Sequence, residues 1–133
     1  MALAFFDTNV VLCLVGSDSA KAARAEALLA AGGVVSVQVL NEFASVASRK
    51  QRLSWAEIID VLSVVRSLCR VEPLLPETHD EAVRLASDHS FSFHDALIVA
   101  AAATAGCDTL YSEDFQHGRR LGGRLTIRNP FRA

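Results

Sequence analysis

Four carboxylates stand where a fold could gather them into one site: Asp7, Glu42, Asp95 and Asp114. The first is the oddest. It interrupts the apolar stretch LAFFDTNVVLCLV, residues 3–15, and a buried carboxylate without a partner is costly enough that it either finds one or protonates. Asp7 ends a short apolar run that reads as a buried strand. Glu42 lies in the first turns of a helix that follows the strand-like VVSV, 34–37. Asp95 is the third residue of an apolar helix, 93–105, and Asp114 lies just past TLYS, 109–112. Open parallel sheets bind ligands beyond the carboxyl ends of their strands, and all four acids are expected there. Each also has a purely structural use. Asp7 could cap the helix after it, Glu42 could complement a helix N-terminus, Asp95 could complete a capping box with Ser92, and Asp114 could be an exposed loop acid.

Gathered together, these acids have a specific chemistry. Two carboxylates about 4 Å apart repel by roughly 4 kcal/mol at an effective dielectric of 20. A group of them must protonate, scatter or hold cations. Oxygen donors without His or Cys select hard divalent ions, Mg²⁺ or Mn²⁺, which activate water and neutralise a phosphoryl group under attack. Asn9 and Ser112 are short polar neighbours suited to orient the ligands.

The elements that must position these residues alternate. Short strands, apolar throughout, are separated by helices whose starts are marked by Ser54-Trp-Ala-Glu57, Thr78-His-Asp-Glu81 and Ser92-Phe-His-Asp95. VEPLL carries Pro73 and is followed by Pro76, so it is at best a short edge strand. This predicts an α/β fold with a mostly parallel sheet covered on both faces. At 133 residues the chain is one domain, without repeat or linker. Half of it is apolar, but its longest uncharged apolar run, 96–106, is too short to span a bilayer. No basic region precedes the first apolar stretch, so a cytoplasmic location without membrane attachment is expected. Cys13, Cys69 and Cys107 are odd in number and widely spaced, and read as buried free thiols. The net charge of −2 excludes a generally basic nucleic-acid binder. The charge is uneven, however: Arg119, Arg120, Arg124, Arg128 and Arg132 follow the last acid, and RKQR at 49–52 is a second basic cluster.

FFDTNVVL at the start, VLNEF at 39–43, FHDALIVAAA at 93–102, LYSEDFQHG at 110–118 and the closing NPF, 129–131, together resemble a PIN domain. The order and spacing span nearly the whole chain, and the short form is similar to the VapC-type toxins of bacterial toxin–antitoxin pairs. The resemblance implies a single PIN domain over 1–133: a three-layer sandwich with a central, mostly parallel sheet of four or five strands. It implies a divalent-metal-dependent endoribonuclease that cuts structured RNA such as transfer or ribosomal RNA. Asp7, Glu42, Asp95 and Asp114 would be its catalytic and metal-binding acids, with Asn9 and Ser112 beside them. It further implies a cognate antitoxin and a homodimer. His94 departs from the larger aromatic common in the family, and Glu113 could enter the site instead of or beside Asp114. A site of acids repels RNA phosphates, so Arg119, Arg120 or Arg124 is expected to contact the substrate backbone.

Three other readings compete. Arg84 and His89 fit the R-x4-H pattern of the metal-independent, all-helical HEPN ribonucleases. A non-catalytic PIN-like RNA-binding module would use the Arg tail and leave the acids vestigial. A metal-dependent phosphatase would share the acids, but the chain carries no phosphate-binding Gly-rich loop.

Overall fold

Apolar strands that cannot face water must be covered on both sides, and the helices that cover them set where the strand ends emerge. A computed structural model describes residues 3–121 and 124–132. Its elements run β1 (Ala4–Phe6), α1 (Thr8–Leu12, continued by a 3₁₀ turn at Cys13–Val15), α2 (Ser19–Ala30), β2 (Gly33–Ser36), α3 (Val37–Arg49), α4 (Trp55–Leu68), β3 (Cys69–Glu72), α5 (Pro76–His89), α6 (Phe93–Thr104), β4 (Thr109–Tyr111), β5 (Arg120–Leu121) and β6 (Leu125–Arg128). The strands form one sheet in the order β3-β2-β1-β4-β6-β5. All pairs are parallel except β5 with β6. The fold is the expected α/β sandwich. Its sheet has one strand more than anticipated, because the two-residue β5 is too short to leave a pattern.

Chain order explains where a site must lie. From β1 the chain steps outward to β2 and β3, then crosses back to β4 on the other side of β1. A crevice therefore opens between the carboxyl ends of β1 and β4, where the direction of winding reverses. Phe5, Phe6, Val34, Val35, Leu110 and Ile127 fill the core from the strands. Helix α6 buries Ala96, Ile98, Val99, Ala100, Ala101 and Ala102, so the apolar segment is a core helix.

Capping residues start the helices largely as expected. Ser54 and Glu57 form a reciprocal capping box, and Ser92 Oγ accepts from Asp95 N at 3.1 Å. Helix α5 differs. It starts at Pro76, whose fixed φ suits a first helical position, and Thr78 Oγ1 instead accepts from Leu75 N one turn back. β3 ends at Glu72, before Pro73 removes a donor.

At Gly33, β2 packs closely against β1. A Cβ on Gly33 would come within 2.7 Å of Ala4 O and 2.5 Å of the Phe6 ring. Backbone cannot yield as a side chain can, so Gly33→Ala is expected to cost about 1–3 kcal/mol. Urea unfolding of the variant beside the parent checks this; an unchanged midpoint would contradict the close approach.

Candidate active site

Asp7 is the N-cap of α1, and its Oδ1 accepts from Thr8 N at 2.7 Å. The capping role is real, but it occupies only one oxygen. Oδ2 accepts from Ser112 Oγ at 2.8 Å and from Asn9 Nδ2 at 3.4 Å. Ser112 follows β4, so this contact bridges the two strands that flank the crevice. The carboxyl is 3 % exposed. Burial pushes its pKa from 3.8 up to about 6, held back by the Ser112 and Thr8 hydrogen bonds and reinforced by the charges of Asp114 and Glu42.

Ser112 and Asn9 are completely engaged. The Ser112 hydroxyl donates to Asp7 and accepts from Asn9 Nδ2 at 3.1 Å and Asp114 N at 3.1 Å, using its one donor and both lone pairs. Asn9 Oδ1 accepts from Glu113 N at 3.1 Å. Both residues predicted to orient the acids therefore brace Asp7 and the turn 112–114 that carries Asp114.

Glu42 is in the second turn of α3, too far along to serve as a first-turn charge. It pairs with His94: His94 Nε2 lies 2.8 Å from Glu42 Oε2. Gln38 Nε2 lies 2.9 Å from the other ring nitrogen. With the Gln38 amide donating to Nδ1, the ring proton sits on Nε2 and is donated to Glu42. The sequence could not place this contact, because Gln38 and Glu42 lie on α3 and His94 lies on α6, 56 residues beyond Gln38. Asp95 follows His94 in the first turn of α6. Its backbone N–H is capped by Ser92, but its carboxylate makes no return bond, so the capping box is half complete and the carboxylate is free among the described residues. Asp114 is exposed. Glu113 is turned elsewhere, onto Lys21 at 2.6 Å, so Asp114 rather than Glu113 acts on Asp7.

The charges of Asp114 and Glu42 thus converge on Asp7, while Asp95 stands beside the His94 that holds Glu42. Among the described residues no three His, Cys, Asp or Glu side chains are drawn close enough to hold a metal ion as they stand. The four acids are therefore not a ready-made cage. Their donor chemistry does fit a hard cation: all are oxygen ligands, one is buried against like charges, and the buried Thr8 hydroxyl next to it lacks a hydrogen-bond partner.

The predicted arginines separate. Arg119 lies with its guanidinium 4.6 Å from the Phe91 ring centroid, in the segment leading into α6. Arg120 pairs with Thr126, which is level with Thr109 at the start of β4. Arg124 precedes β6 and acts electrostatically on Cys107, ahead of β4. It sits at the amino edge of the parallel strands, about 10 Å of strand away from the acids. The structure brings Arg124 no nearer to Asp7, and it offers instead Arg128, at the carboxyl end of β6 beside Ser112, and Lys21. Arg84 is exposed and pairs with Glu81 and Asp88 on α5, and the parallel sheet excludes the all-helical HEPN reading. Cys13, Cys69 and Cys107 are free thiols. Among the described residues no helix is long and apolar enough to cross a membrane.

The sequence profile of the PIN domain matches residues 4–120. The chain belongs to the PIN-domain family. Solved structures share the fold, among them the following two. VapC20 of Mycobacterium tuberculosis, a sarcin–ricin-loop-cleaving toxin, superposes with a TM-score of 0.68 at 22% identity, over 84% of this chain and 89% of that one. VapBC2 from Rickettsia felis, bound to a DNA fragment from its promoter, superposes at 0.69 and 16% identity, over 95% and 97%. No curated protein matches in sequence. This PIN domain thus places Asp7, Ser112 and Asp114 at the switch point of its sheet, with Glu42 and Asp95 carried in by α3 and α6.

The raised Asp7 pKa has a consequence for stability. Between pH 4 and 6 the folded chain holds a proton there that the unfolded chain has lost, so stability falls as pH rises through that window and then levels. Ionised Asp7 costs about 3 kcal/mol at neutral pH. In EDTA, Asp7→Asn is expected to be more stable than the parent by about 1–3 kcal/mol at pH 8, with the difference vanishing near pH 4. Paired thermal denaturation across pH measures it. A difference that does not change with pH would show that Asp7 is not the strained group.

Proposed function

We propose that this PIN domain is a divalent-metal-dependent endoribonuclease that hydrolyses RNA phosphodiester bonds and acts as the toxin of a toxin–antitoxin pair. The observation that carries the reading is the buried Asp7 carboxyl, braced by Ser112 and Asn9 and subject to the charges of Asp114 and Glu42. Such an arrangement destabilises the fold, so it is better explained by catalysis than by structure. Asp7, Glu42, Asp95 and Asp114 would hold Mg²⁺ or Mn²⁺. When bound, the ion supplies neutralising charge to the phosphoryl group and lowers the pKa of a water. The chain's own part is positioning. Ser112 and Asn9 fix the orientation of Asp7 and of the turn bearing Asp114, and His94 restrains Glu42.

The fold shared with the two toxin structures supports the toxin reading, and the VapBC2 complex supports an antitoxin partner. Structured RNA, either transfer or ribosomal, is the proposed substrate class. A partner also suits the surface. Trp55 and Ile59, one turn apart on α4, are 61 % and 60 % exposed, and such large apolar groups gain by being covered. A homodimer and a bound antitoxin are the proposed covers.

Purified protein incubated with total cellular RNA in Mn²⁺ or Mg²⁺ is expected to cut. Cutting should stop in EDTA, and Asp7→Asn should lower the rate by at least a hundredfold. Gel analysis of the RNA reads all three. Cutting that survives both EDTA and the substitution would overturn the metal site. Binding without any cutting would favour the non-catalytic module.

A further inference from the structure

A cleft of about 240 Å³ opens between α2 and the segment that follows β6, lined by Ala20, Lys21, Arg24, Pro130, Phe131 and Arg132. Three of these side chains are cationic and none is acidic, in a chain whose net charge is −2. Arg24 donates from Nε to Pro130 O at 3.1 Å, which fixes the guanidinium in the wall. Its terminal nitrogens have no partner among the described residues, and neither has the Arg132 side chain. Lys21 Nζ lies 5.3 Å above the Phe131 ring.

The cleft adjoins the acidic centre. Lys21 also lines a second opening of about 290 Å³ with Asn9, Cys13 and the acids Asp18 and Glu113. Glu113 is bonded to Lys21 and, through its backbone N–H, to Asn9, which bonds Asp7. Lys21 is thus the wall shared by the basic cleft and the opening that reaches Asn9, the neighbour of Asp7. Glu113 neutralises much of its charge, which leaves Arg24 and Arg132 as the cations open to a ligand.

We infer that this cleft, from Lys21 to Arg132, is the subsite for the phosphodiester backbone of the single-stranded RNA segment leading away from the scissile bond. The inference rests on the ribonuclease reading above. A polyanion whose scissile phosphate lies at Asp7 meets repulsion from the acids and needs an acid-free wall next to them. The cleft is such a wall, and its half-buried aromatic ring is suited to contact a base or ribose beside the phosphates. An acidic peptide would satisfy the cations equally, but would have no use for continuity with the Asp7 centre.

The test is fluorescence anisotropy of a labelled single-stranded RNA oligonucleotide with the full chain in EDTA, across a salt series. The Arg24→Gln/Arg132→Glu pair is expected to weaken binding at least tenfold. Each lost phosphate contact should lower the log–log salt slope by about 0.7, or roughly 1.4 for the pair. Arg132→Glu alone should show about half the change in slope; that side chain is exposed and has no hydrogen-bond or ion-pair partner among the described residues, so the test stands even if Arg24→Gln disturbs packing against Pro130. Arg124→Glu, at the opposite edge, should alter affinity no more than about twofold. In Mn²⁺ the pair should raise KM and leave kcat nearly unchanged. Parental affinity and slope in the variants, with metal-dependent cutting intact, would overturn this inference alone. Loss of polyglutamate binding with RNA binding unchanged would overturn it in favour of a protein ligand. A parent chain that neither binds nor cuts RNA would overturn the ribonuclease reading, and this inference with it.

Discussion

The hydrogen bond from Ser112 to Asp7 joins the ends of the two strands on which the rest of the site depends. β1 and β4 are only three residues long each, and short parallel strands do little to fix the chain beyond their ends. The backbone continues the pairing with Asp7 N to Tyr111 O at 3.0 Å and Ser112 N to Arg128 O at 3.0 Å. The side chains then lock it. Because Ser112 also accepts from Asp114 N, and Asn9 from Glu113 N, the same few atoms that satisfy Asp7 shape the turn that delivers Asp114. Ser112→Ala would remove all three bonds of the hydroxyl and leave the backbone pairing in place.

That lock places negative charge where the fold can least tolerate it, and the surroundings disperse the excess. Glu42 is met by His94 and Glu113 by Lys21, while Asp114 remains exposed to solvent. Of the four acids only Asp7 is buried, it has no basic partner among the described residues, and its carboxyl is the one pushed up to about 6. The unrelieved cost is therefore concentrated on a single group at the switch point of the sheet. A cavity or a poorly packed core would spread such a cost; here the core around it is closed, with Phe5, Phe6 and Leu110 fully buried. Strain confined to one ionisable group in an otherwise consistent fold is the pattern expected of a functional site.

Sequence reasoning reached what depends on local pattern. Apolar runs marked the strands, Ser54 and Ser92 marked helix starts, and the interruption of an apolar strand end singled out Asp7. It also singled out Asn9 and Ser112 as short polar neighbours of the acids, first by residue type and then by the resemblance of the whole pattern to a PIN domain, although their partners lie 103 and 105 residues away. What it missed are pairings between distant surfaces. Lys21 and Glu113 are separated by 92 residues and His94 and Gln38 by 56, and neither leaves a periodic signal. The dispersal of the arginine tail was hidden for a related reason. Clustered in sequence, its members are divided by the β5–β6 hairpin between the two edges of the sheet, because alternate ends of antiparallel strands face opposite ways.

The two edges also differ in kind, and the difference bears on how a polyanion could be received at an acidic centre. At the amino edge, Arg124 stands near Cys107 and Asp108, remote from the strand termini that carry Asp7 and Asp114. At the carboxyl edge, positive charge comes from elements far apart in sequence: Lys21 and Arg24 from α2, Arg128 from β6 and Arg132 beyond it. Long-range attraction from net charge is unavailable to a chain of −2, so any attraction must be short-ranged and placed beside the acids. Screening over about 8 Å at physiological salt means that only cations within a residue or two of contact matter. Lys21 meets that condition while bonded to Glu113, and Glu113 in turn is held by Asn9. Attraction and repulsion are therefore mechanically linked: whatever moves Asn9 shifts both the Asp7 carboxyl and the Lys21 wall.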